Sequence, residues 1–98
     1  MEIARKNEGS ALTLEITGRI DTLTAPMLEA ELKKSVSGIT ELALDFAAVE
    51  YISSAGLRVL LSAQKVMNKQ GSMVIKNVNS IVMDVFEITG FSDVLTIE

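Results

Sequence analysis

Leu42-Ala43-Leu44-Asp45-Phe46 and the nearby Ile52-Ser53-Ser54-Ala55-Gly56-Leu57 set two adjacent hydroxyls between an apolar run and the clearest helical pattern in the chain. Leu42, Leu44 and Phe46 share one face, the alternation of a strand with a buried side. From Leu57 onward, Leu60, Leu61, Gln64 and Met67 mark one helix face as far as Lys69, and Val59, Ala63 and Val66 widen it. Ser53 and Ser54 therefore stand where a strand hands over to a helix. In parallel βα units, that edge commonly gathers ligand and partner chemistry.

Upstream, residues 2–6 and 11–17 read as two strands joined by Asn7-Glu8-Gly9-Ser10, a short connection rich in turn formers and suited to a hairpin. Leu12, Leu14 and Ile16 alternate with Thr13, Glu15 and Thr17. A loop over residues 18–23 leads to a helix with Thr24 as N-cap and Pro26 in its first turn. Ala25, Leu28, Leu32 and Val36 recur in that helix at helical spacing, and Ser37-Gly38 ends it. Downstream, Gln70-Gly71 closes the long helix and residues 72–76 form a short strand. Residues 81–89 give a third helix stopped by Gly90, and residues 94–97 a last short strand.

The expected fold is α/β, one domain over residues 1–98 in the order β-β-α-β-α-β-α-β. Its sheet is mixed, with four or five strands that are parallel in most pairs, packed with three helices. Loops after successive parallel strands share an edge. Asp21 and Thr22 are thus expected beside Ser53 and Ser54, with Asp45 near its strand end on the same surface.

Composition narrows the chemistry. Hydrophobic residues make up 48% of the 98, enough for a core, and charged residues 22%. The net charge of −4 comes without any basic patch that would neutralise phosphates, which argues against nucleic acid as a partner. Cysteine is absent, so disulfide and thiol chemistry are excluded. Histidine is absent too, which removes Ser-His-Asp triads, His-based acid catalysis and the common zinc sites. The polar start, Met1 to Lys6, does not read as a signal peptide, and no apolar run approaches the roughly 20 residues that span a bilayer. The expectation is a cytoplasmic monomer with no membrane partner, no metal and no cofactor.

Ser54 has a structural and a functional reading. As structure, a serine ahead of a helix is a favoured N-cap. As function, a phosphate at a helix N-terminus meets free N–H groups and the positive end of the dipole, while adding about 1.5 to 2 negative charges to its surface. Catalysis fits poorly. A nucleophile elbow needs glycine two residues before its serine, where Ile52 stands. Lys65 lies about 16 Å along the helix from Ser54, too far for a Ser-Lys pair. The P-loop and GxGxxG patterns are missing, and no general base is at hand.

Leu44 to Leu57 resembles the signature of STAS domains, in particular the bacterial anti-sigma factor antagonists. Gly18-Arg19-Ile20-Asp21, Lys69-Gln70-Gly71 and Phe86-Glu87-Ile88-Thr89-Gly90-Phe91 resemble the flanking motifs of that family, in the same order and spacing. The resemblance implies a regulator of transcription whose unphosphorylated form binds an anti-sigma factor that is also a serine kinase of the GHKL-type ATPase fold. Phosphorylation weakens that complex and a PP2C-type serine phosphatase restores it. Aligned on Gly56-Leu57, the acceptor falls on Ser54, in preference to Ser53. The implied partner surface comprises Asp21, Thr22, Ser53, Ser54, Ala55, Gly56, Leu57 and Arg58. Ser53 stands where the family usually keeps an aspartate, and Ala55 where it often keeps a hydroxyl. An alternative within the same fold is an adaptor subunit of a transport or lipid-trafficking complex, with no phosphorylation.

Overall fold

The computed structural model describes residues 1–98. Its elements are β1 (Glu2–Glu8), β2 (Ala11–Ile20), α1 (Ala25–Ser35), β3 (Glu41–Ile52), α2 (Ser54–Gln70), β4 (Ser72–Lys76) and α3 (Ser80–Thr89), followed by a 3-10 turn over Phe91–Asp93. The strands form one sheet in the order β1-β2-β3-β4. β1 and β2 are an antiparallel hairpin turned at Gly9, whose φ of 61° suits a residue without Cβ. β2, β3 and β4 are mutually parallel. The mixed sheet and its three helices are as expected.

Alternation dictates which side of the sheet is covered. Leu12, Leu14 and Ile16 of β2, Leu42, Leu44 and Phe46 of β3, and Met73 and Ile75 of β4 are all buried on one face. Leu28 and Leu32 of α1, Leu57, Leu60 and Met67 of α2, and Val82 and Phe86 of α3 close over them in a single core. The Phe46 and Phe86 rings lie 6.4 Å apart at 39° and fasten α3 to β3. The opposite face keeps Thr13, Glu15, Ala43, Asp45 and Val74 only half-buried. Gln70 clamps the far end, its side-chain amide donating to the carbonyls of Val36 (2.7 Å) and Ile39 (2.6 Å) just beyond α1. At the next residue a Cβ on Gly71 would collide with the backbone of Thr40, so that turn requires glycine.

Two sequence expectations are corrected here. The strand expected to stop at Phe46 runs six residues further. Register shifts against β2 between Glu15 and Thr17 and between Gly18 and Arg19 insert extra residues into β3, so its buried positions pass from Phe46 to Val49 to Ile52 at intervals of three. Bulges break the period of two that marks a strand. The last strand does not form as an element. Only Ile97 bridges to Ile75, with the Thr96 carbonyl and the Glu98 N–H bonding Ile75 at 2.9 Å each.

Candidate functional site

β2 and β3 end together. Ile20 and Ile52 are register partners, both fully buried, and the Ser53 N–H donates to the Ile20 carbonyl at 2.8 Å. One residue beyond Ile20, Asp21 leaves the sheet beside Ser53. The expected meeting of Asp21 and Thr22 with the serine turn is thus built into the ladder itself.

Asp21 organises its own loop. Its Oδ1 accepts from the N–H groups of Leu23 and Thr24, at 3.0 Å each. Thr24 Oγ1 accepts from the Asp21 N–H at 2.9 Å and donates to the Arg19 carbonyl at 2.7 Å. The Thr24 N–H, then that of Leu23, the Thr24 hydroxyl and the nearby Arg19 guanidinium hold the Asp21 carboxyl below its ordinary pKa, against a smaller opposing effect of desolvation. Thr24 is the residue before α1, but its side chain makes no cap bond to that helix, because the hydroxyl is spent within the loop.

The serine pair divides its roles in a way the cap reading of Ser54 did not foresee. Ser53, not Ser54, precedes the helix. It is extended, its carbonyl accepts from the Leu57 N–H at 3.0 Å, and its side chain makes no cap bond. The Ser53 hydroxyl is buried and without a partner. Ser54 is the first helical residue and is exposed. The opening N–H groups of α2 therefore have no side-chain acceptor. Gly56 lets this turn sit directly on the strand ends: a Cβ there would come within 2.6 Å of both Ile20 Cγ2 and Ile52 Cγ1.

Of the residues expected at the partner surface, Thr22, Ser54 and Arg58 are exposed, while Asp21, Ser53 and Ala55 are half-buried. Gly56 and Leu57 are buried beneath the turn. Thr22, Ala25, Pro26, Ala55, Arg58 and Val59, with Glu29, line a hollow of about 220 Å³ beside Ser54. Arg58 lies one turn along α2 from Ser54 and carries no ion pair.

Asp45 does not belong to this surface. With β3 extended to Ile52, Asp45 lies mid-strand, paired with Glu15 and Lys76. Its Oδ1 accepts from the Asn77 side-chain amide (3.0 Å) and the Ala47 N–H (2.9 Å), and these bonds lower its pKa. Two apolar side chains escaped the sequence reading. Leu23, in the loop after Asp21, is 86% exposed, and Met27 on α1 is 52% exposed. The available signal was a leucine in an otherwise polar loop, Asp21-Thr22-Leu23-Thr24.

Residues 2–98 match the STAS domain family. The anti-sigma-B factor antagonist of Bacillus subtilis is 31% identical over 94 residues, covering 95% of this chain and 85% of that protein. BtrV of Bordetella bronchiseptica, a candidate anti-sigma factor antagonist, is 39% identical over 84 residues, covering 84% of this chain and 72% of that protein. Among solved structures, an anti-sigma factor antagonist from Mycobacterium paratuberculosis superposes with a TM-score of 0.88 at 22% identity, covering 98% of this chain and 83% of that one, a likeness of fold. With a family match across nearly its whole length and two such relatives, the chain belongs to the STAS domain family, among the anti-sigma factor antagonists.

Proposed function

We propose that this protein binds an anti-sigma factor through the surface around Ser54, and that phosphorylation of Ser54 by that partner, acting as a serine kinase, releases it. The observation that carries the reading is the division of the serine pair: Ser54 offers an exposed hydroxyl on the first turn of α2, whereas the Ser53 hydroxyl is buried. A kinase bound to ATP can reach the first and not the second.

In the transfer, Ser54 Oγ attacks the γ-phosphorus of ATP, its proton passes to a base of the kinase, and ADP leaves. This chain supplies the nucleophile and its orientation only. The phosphoserine then lies against N–H groups that have no other acceptor, and Arg58, one turn on, offers a cation at helical i,i+4 spacing. The fold accommodates the modification locally. The interface does not, because about 1.5 to 2 negative charges arrive beside Asp21, whose lowered pKa keeps it ionised. A PP2C-type phosphatase, by hydrolysing the phosphoserine, resets the protein.

Incubation of the wild-type chain with ATP and its anti-sigma factor, followed by mass-spectrometric mapping, tests the assignment. Phosphate on Ser54, lost in Ser54→Ala and retained in Ser53→Ala, supports it. Phosphate on Ser53, or transfer that persists in Ser54→Ala, refutes it.

A further inference from the structure

The charge of this molecule is segregated along the sequence. All nine Lys and Arg side chains lie in residues 1–76, where acidic residues match them one for one. The whole net charge of −4 therefore comes from Asp84, Glu87, Asp93 and Glu98 in the remaining segment. None of the four forms an ion pair.

α3 carries two of these four acids, Asp84 and Glu87, next to apolar surface that nothing covers. Val82 and Phe86 turn into the core with no exposure at all, but Ile81 is 59% and Ile88 85% exposed. Seven residues apart, Ile81 and Ile88 fall on nearly the same line of the helix, with Asp84 within the same sector and Glu87 flanking it. Isoleucine loses water contact only if something docks. The acids say what kind of surface that is: they repel an anionic membrane or a nucleic acid, and a second copy meeting this face on itself would set acid against acid.

We infer that the outer face of α3 is a second docking surface, taking a cationic amphipathic helix of a partner protein. Apolar side chains of that helix would cover Ile81 and Ile88, and its Lys or Arg side chains would pair with Asp84 and Glu87. The surface is carried by a different helix from Ser54 and stands whether or not Ser54 is phosphorylated.

The test is a titration of the ¹⁵N-labelled full chain with a synthetic Leu/Lys-patterned amphipathic peptide of roughly 18 residues, about five turns. A Leu/Glu peptide of the same pattern serves as control. Amide shifts centred on residues 80–89 are expected with the Leu/Lys peptide alone, weakening as salt is raised. The double variant Ile81→Ser, Ile88→Ser should remain folded, since both side chains are exposed, and should bind about tenfold more weakly or worse. Absent shifts, shifts centred on Ser54, equal response to the two peptides, or undiminished binding by the folded double variant would each overturn the inference.

Discussion

Ser53 donates its backbone N–H to the carbonyl of Ile20 at 2.8 Å, joining the turn that presents Ser54 to the loop that presents Asp21. That bond continues the parallel β2–β3 ladder one residue past its last pair, Ile20 with Ile52, so the sheet ends place the site. The closeness it imposes leaves no room at the next layer. Gly56→Ala is expected to cost about 1–3 kcal/mol, because the added methyl presses on Ile20 and Ile52. Urea unfolding measures this directly, and an unchanged midpoint would contradict the close approach.

Ser53→Ala removes a buried hydroxyl that has no partner. Stability should be unchanged or rise by up to about 1 kcal/mol, since the lost group contributes a desolvation cost and no hydrogen bond. A loss of more than about 1 kcal/mol in the same unfolding assay would mean that the hydroxyl is bonded in solution.

Much of this arrangement is legible in the sequence where alternation or spacing is undisturbed. Leu12, Leu14 and Ile16 announce β2, the Leu57 to Met67 pattern announces α2, and their order implies parallel pairing with Asp21 and Ser53 at one edge. Legibility ends where a tertiary feature breaks the period. The bulges opposite Thr17 and Arg19 hide the second half of β3, and with it the fact that Asp45 is mid-strand. Local propensity favours Ser54 as a cap, but Ser53 takes the capping position with its hydroxyl buried, a matter of packing that no local motif encodes.

Acid should weaken the fold through three carboxyls. The Thr24 N–H lowers the pKa of Asp21, the Ser35 hydroxyl that of Glu31, and the Asn77 amide that of Asp45. Each folded value lies below its unfolded one, so below the ordinary carboxylate pKa of about 4 the unfolded chain binds more protons. The stabilisation is complete above that range and fades as pH falls through the lower folded values. Asp21→Asn should lessen the drop in urea midpoint between neutral and acid pH. An identical drop in the variant would show that the Asp21 loop bonds do not favour the charged form.

On the proposed function, negative charge at Ser54 breaks the complex while the fold persists. Isothermal titration of the anti-sigma factor with wild type, Ser54→Ala and Ser54→Asp tests it most directly, with circular dichroism confirming that each variant is folded. Ser54→Ala should bind about as tightly as wild type, and Ser54→Asp about tenfold more weakly or worse. A folded Ser54→Asp protein that binds as tightly as wild type would contradict the account.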